Sequence, residues 1–123
     1  MIASVAIWCG VAVFGGLGAI ARFTLDGLVQ GRLDTEFPFG TLVVNGLGSF
    51  LLGLLVGLQL SESDLLLAGV ATLGSFTTFS TWMLETQRLA EDGEGGLALG
   101  NVVGSSALGL AAAGLGWAIG AAL

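Results

Sequence analysis

Histidine, lysine and tyrosine are missing from this chain, and cysteine and proline occur once each. Without histidine there is no imidazole proton switch, no His-ligated metal and no Ser–His catalytic pair. The single Cys9 excludes an intrachain disulfide and any cysteine-pair metal site. Charge is scarce too. Charged residues make up 10% of the 123, against about 25% in a water-facing domain. Apolar residues fill 54% of the chain, 22 positions are glycine, and mean hydropathy is +0.96. The glycines follow no collagen period. A soluble enzyme, a disordered tail and a disulfide scaffold all fit this composition poorly. A small membrane protein fits it.

The few charges cluster, and the clustering divides the chain. Met1–Ala21, Phe39–Leu60, Leu65–Leu84 and Leu97–Leu123 hold no Asp, Glu, Lys or Arg. Each is close to or above the roughly 20 residues needed to span a bilayer. Short polar stretches, Arg22–Pro38, Ser61–Asp64 and Glu85–Gly96, separate them. The pattern predicts one all-α domain over residues 1–123, with four spans at about 2–25, 39–60, 65–90 and 97–122, in a multi-pass protein of the cell membrane. The alternating ten-residue segments of a β-barrel are absent. Met1–Gly18 lacks the basic start of a signal peptide, so the first span is expected to be retained. Arg22, Arg32 and Arg88 fall at the first and third connections, which the positive-inside rule assigns to the cytoplasm, leaving both termini outside. A net charge of −6 with three arginines gives no basic surface for nucleic acid.

Four helices of this size fill their own centre with side chains, so a single chain has no room for an aqueous pore. Any solute path must run between subunits or along a groove that a partner closes. Lipid supplies no hydrophobic drive for helix association, so close approach at small residues matters. Thr41, Asn45, Ser49, Gly53 and Gly57 recur every four residues along the second span, and the fourth repeats the idea with Gly100 and Gly104, then Asn101, Ser105 and Gly109. Helix packing is the plain reading of these glycines. Asn45 is different: an amide inside a span is costly without partners, and such groups serve either as interhelical glue or as functional sites.

The third span carries the densest signal. In Gly74–Trp82, six of nine residues are Gly, Ser or Thr. A polar, β-branched cluster at membrane depth is a plausible place for a helix to break. Broken backbone is tolerated there only where it lines a cavity or binds an ion. Free carbonyls suit a hard cation, whereas hydroxyls and aromatic ring edges, the positive rim of the π system, suit an anion. Phe76, Phe79 and Trp82 recur every three residues and would share a face if the helix were intact.

Gly15–Arg22, Phe39-Gly40-Thr41-Leu42-Val43-Val44-Asn45 and Gly74–Glu85 resemble, in order and spacing, the signature blocks of the Fluc (CrcB) fluoride channels, and the resemblance covers the whole chain. It implies an antiparallel, dual-topology dimer with the third helix broken near its middle, and two fluoride paths along the subunit interface. It implies a structural Na⁺ at the dimer centre, held by backbone carbonyls of Gly74 and Thr77. The fluoride path would use Asn45 as amide donor, Thr41 one turn away, the ring edges of Phe79 and Trp82, the hydroxyls of Thr78 and Ser80, and Ser105 in the fourth span. Arg22, at the end of the first helix, would face a vestibule, with Glu85 following the third-span aromatics. The implied role is fluoride export by passive electrodiffusion, which protects against fluoride toxicity.

The chain departs from the family pattern at Trp82, usually Phe, at Asn101, where an aromatic hydroxyl is usual, and at Gly109, which offers no side chain. Both a differently tuned homodimer and pairing with a homologous inverted subunit accommodate these changes, and the one-sided arginines favour the second. Two alternatives belong to other classes. A small multidrug-type, proton-coupled transporter needs a buried acid in the first span, and Met1–Ala21 has none. A membrane scaffold or assembly subunit would explain the glycine stripes but not Asn45 together with the hydroxyl cluster.

Overall fold

A computed structural model describes all 123 residues, the side chain of Ile2 excepted. Among the described residues every regular element is helical. α1 runs Ile2–Arg32 and α2 Phe39–Gly57. The third span is composite: α3 (Glu62–Asp64), a π-helical stretch (Leu65–Leu73), α4 (Gly74–Phe76) and α5 (Ser80–Glu91). α6 covers Gly95–Ala122. Four stretches are long and apolar enough to cross a membrane: Ala3–Arg32, Phe39–Gly57, Glu62–Glu91 and Gly95–Ala122.

The first helix does not stop where its apolar run stops. It continues through Arg22 and Asp26 to Arg32, so Arg22 lies well inside α1 and not at its end. The helix ends at Arg32, where Leu33 turns extended (φ −110°, ψ 117°); further along the connection, Pro38 keeps Phe37 out of the α region. Gln30 then fastens the connection. Its amide nitrogen donates to the Thr35 and Phe37 carbonyls at 3.1 and 3.2 Å, and its oxygen accepts from the Gly40 N–H at 3.1 Å. That last bond satisfies one of the free donors at the start of α2. At the second connection, Ser61 caps α3 by accepting from the Asp64 N–H at 3.2 Å.

α2 and α6 form the most extensive contact within the chain. They meet backbone to backbone. A Cβ added at Gly53 would run into the Ala113 carbonyl, and one at Gly57 into the Trp117 carbonyl; from the other side, Gly116 faces the Phe50 carbonyl and Gly120 the Leu54 carbonyl. Such close approach is how helices gain dispersion contact where burial in lipid yields nothing. Gly100 and Gly104, which the sequence pattern placed in the packing stripe of α6, meet nothing within 4 Å. The reason is helical phase: they lie on the side of α6 away from the Gly116 and Gly120 seam.

The buried apolar core is small, comprising Val44, Ala71, Leu73, Phe76, Leu89 and Ala98. Many larger apolar residues, including Trp8, Phe23, Val70 and Leu110, are exposed. For a chain in water this would be an aggregation hazard. In a bilayer it is the lipid-facing or subunit-facing surface.

Candidate functional site

The third span breaks between Phe76 and Ser80. Helical bonding reaches the Thr77 N–H, which donates to the Leu73 carbonyl at 3.0 Å. Thr77 then turns extended, with φ −81° and ψ 159°, and the axis bends by about 19°. The hydroxyls of the cluster make the break tolerable. Ser75 donates back to Ala71 and Thr72 carbonyls at 2.8 and 2.9 Å, and Thr77 donates to Leu73 at 3.1 Å. Such back-bonding competes with the helix ladder and bends it.

Asn45 of α2 holds the broken strand. Its oxygen accepts from the Thr78 N–H at 2.8 Å, and its amide nitrogen donates to the Thr78 carbonyl at 2.8 Å. One carboxamide thus satisfies both backbone groups of one residue, as a neighbouring strand would. The consequence lies one turn back. In a continuous helix the Thr78 N–H would go to the Gly74 carbonyl and the Thr81 N–H to the Thr77 carbonyl. Here the first goes to Asn45 and the second to the Thr78 hydroxyl at 3.2 Å. The carbonyls of Gly74 and Thr77 are both released. Gly48, where a Cβ would collide with the Thr77 methyl, lets α2 come close enough for Asn45 to reach.

Beside this break an open groove of about 740 Å³ runs along one side of the chain. It is lined by Asn45, Gly48, Ser49, Gly74, Thr77, Thr78, Phe79, Trp82, Ser105, Ser106 and Gly109, with apolar rims at Leu52, Val70 and Leu110. Phe79 is 71% exposed, while Phe76 is 7% exposed and packed inward. Phe76 does not share a face with Phe79 and Trp82, as an intact helix would require, because the break comes between Phe76 and Phe79. Phe79 and Trp82 meet edge to face, with ring centroids 5.7 Å apart and planes at 82°.

Residues 9–117 match the family model described as CrcB-like protein, Camphor Resistance (CrcB). This chain belongs to the CrcB family. Among CrcB relatives, the protein named Fluoride-specific ion channel FluC 2 from Mycolicibacterium paratuberculosis is 56% identical over 113 residues, covering 92% of this chain and 93% of the relative. Fluoride-specific ion channel FluC from a strain of Thermus thermophilus is 49% identical over 118 residues, covering 92% and 94%. Fluoride-specific ion channel FluC 1 from Rubrobacter xylanophilus is 51% identical over 96 residues, covering 77% of each.

In this CrcB chain the groove gathers Asn45, Gly74, Thr77, Thr78, Phe79, Trp82 and Ser105 from three spans. Thr41, Ser80, Arg22 and Glu85 do not line it. Ser80 is exposed next to Phe79, and its hydroxyl lies 3.5 Å from that of Thr78. Thr41, 2% exposed, donates to a Glu85 oxygen at 2.9 Å. The other Glu85 oxygen and the Arg22 Nε are buried without a hydrogen-bond partner. Thr41, Glu85 and Arg22 therefore stand apart from the groove.

Sequence reasoning missed the pairing of Gly116 and Gly120 with Gly53 and Gly57, although both pairs share the same four-residue spacing. It also missed Gly18, whose missing Cβ lets α1 lie against the Thr72 carbonyl and Ser75 hydroxyl beside the break. Gly18 stands in the Gly15–Arg22 block, but nothing in the block says which helix it meets.

Proposed function

We propose that this protein is a subunit of a fluoride channel, its ion path running through the groove beside the third-span break. The observation that carries the reading is the groove itself. It combines a clamped amide, hydroxyls and exposed ring edges with no charged side chain, on a face left open by a single chain. Support comes also from relatives named as fluoride-specific channels at 49–56% identity over nearly the whole chain. Neither the scaffold nor the proton-coupled alternative finds support.

Fluoride is small and tightly hydrated, so its passage requires donors that replace water without holding the ion. A lysine or arginine at this depth would bind too strongly. Asn45 has two amide hydrogens and spends one on Thr78, so the second remains for an ion. Phe79 and Trp82 offer ring edges and Thr78 offers a hydroxyl proton, with the Ser80 hydroxyl 3.5 Å from it just outside the groove. The Ser105 hydroxyl lines the groove but donates to the Asn101 side chain at 3.2 Å. Thr41 and Glu85, bonded to each other, and Arg22 fit better at the approach to the path than along it. Passive electrodiffusion down a gradient needs nothing more from the protein than these weak sites.

An open groove needs a cover, and a second, inverted copy or homologous subunit is the cover this reading assigns. The numbered names FluC 1 and FluC 2 among relatives agree with paired subunits. Na⁺ fits the released carbonyls: Gly74 and Thr77 present neutral, hard oxygen donors of the kind that hold such a cation, and an inverted partner would double the set. The ion would tie the two breaks together as a structural element and take no part in conduction.

The test is fluoride efflux from liposomes containing this chain alone, and then this chain with a homologous subunit. Fluoride release without chloride release is the expected result in at least one arm. Retention of fluoride in both overturns the channel reading, and release in the first arm means that this chain needs no second kind of subunit.

A further inference from the structure

Trp82 brings into the groove something the other ring does not have, an indole N–H. That group is a far better hydrogen-bond donor than a ring edge, and it would arrest a small anion where passage needs weak sites. In the structure it is already spent. Trp82 Nε1 donates to the main-chain carbonyl of Asn101 at 3.1 Å.

Asn101 is fully buried and every polar atom of its side chain is engaged. Its amide nitrogen donates to the Thr86 hydroxyl at 2.9 Å and reaches the Trp82 carbonyl at 3.5 Å; its oxygen accepts from the Ser105 hydroxyl at 3.2 Å. Thr86 in turn donates to the Trp82 carbonyl at 2.8 Å. The residue that receives the indole thus also grips the backbone of the residue that carries it. Beyond this network, Leu89 of α5 and Ala98 of α6 are the only buried apolar side chains of the two helices. The polar clamp is therefore a tie of α5 to α6 made by a fully buried side chain.

We propose that Asn101 is a positioning residue that holds the Trp82 N–H against the fourth span, so that only the C–H edge of the indole faces the groove. The inference rests on the fluoride-channel reading. It also gives a reason for a tryptophan and an asparagine to occur together. The larger ring brings a donor that the main-chain carbonyl at position 101 accepts, and the Asn101 side chain, tied to Thr86 and the Trp82 carbonyl, keeps the two in register.

The experiment uses the full chain with Trp8→Phe and Trp117→Phe, leaving Trp82 as the one indole, in liposomes with whichever subunit supports flux. Asn101→Leu keeps the number and branching of side-chain heavy atoms and removes the clamp. Two results are expected. Fluoride flux falls about tenfold, the scale of one lost buried hydrogen bond, yet the same substitution in a Trp82→Phe chain costs less than about twofold, since no N–H remains to escape. Trp82 emission, unresponsive to fluoride in the parent, becomes fluoride-sensitive in the variant. Equal flux loss in both backgrounds, or emission that ignores fluoride in the variant, overturns the proposal and reduces Asn101 to helix glue. If Asn101→Leu does not reach the membrane, Thr86→Val cuts one tether and is judged by the same readouts. A parent that moves no fluoride in any pairing defeats the channel reading, while the emission of Trp82 still decides whether its N–H is held.

Discussion

The two halves of α2 carry one four-residue stripe and use it for opposite ends. In the second half, Gly53 and Gly57 vanish into the backbone of α6, and nothing but contact is made there. In the first half, Thr41 and Asn45 cross to the third span as hydrogen-bond donors, reaching Glu85 and Thr78. Ser49 sits at the changeover: it lines the groove, and a Cβ at Gly109 would come within 3.6 Å of its hydroxyl. Small residues close a gap between helices, whereas small polar residues hold one open at a defined width. A stripe drifting around the helix meets α6 with one end and the broken third span with the other.

The largest effect expected from testing this contrast is in the closed half. Gly116→Leu drives a side chain into the Phe50 carbonyl, where backbone on both sides leaves no room to yield. Overpacking of this kind costs about 1–3 kcal/mol or more, and the α2–α6 pair has little apolar burial to offset it. The variant should lose its monodisperse peak in detergent chromatography. A well-behaved peak with normal thermal stability would mean the helices can separate freely, and the seam is not what holds the chain together.

Next comes the open half. Asn45→Asp keeps size and shape but turns the donor facing the Thr78 carbonyl into a second acceptor. A buried acceptor left without its donor costs about 1–3 kcal/mol, and a potential negative charge now borders the path. Fluoride flux should fall about tenfold to a hundredfold with the assembled protein still recoverable. Unaltered flux would make Asn45 a packing residue only, and would erase the distinction between the halves. Phe79→Ile is a milder cut. It retains apolar volume and removes a ring edge from a side chain that is 71% exposed. Flux should drop several-fold while assembly and thermal stability stay unchanged; undiminished flux would remove Phe79 from the ion path.

Much of this was legible in the residues. Charge-free stretches located four spans because lipid tolerates little else, and the Gly74–Trp82 cluster located the break because hydroxyls compete with the helix ladder. Asn45 stood out because an amide in a span must find partners. Which partners it finds was not legible: spacing along one helix carries no information on the facing backbone, so the Thr78 clamp and the release of Gly74 and Thr77 became visible only in three dimensions. The same blindness hid the bond from Trp82 to Asn101, two departures that read singly as oddities. The π-helical turns of Leu65–Leu73 left no mark in an ordinary apolar run.

Glycine rows make the point most sharply, and they yield the smallest predicted effect. Gly100 and Gly104 repeat the spacing of Gly116 and Gly120 on the same helix, yet meet nothing within 4 Å. They also lie off the groove, which takes Ser105, Ser106 and Gly109 from α6. They therefore face outward from the chain. Replacing Gly104 by Ala there removes the backbone freedom that makes glycine a poor helix former, a gain of up to about 1 kcal/mol, and creates no clash. Gly104→Ala should leave flux unchanged and raise thermal stability slightly, whereas Gly120→Ala, on the Leu54 carbonyl, should lower it. If instead Gly104→Ala weakened subunit pairing in a crosslinking assay, that face of α6 would be a contact between protomers. The open side of the molecule would then extend around α6 well beyond the groove.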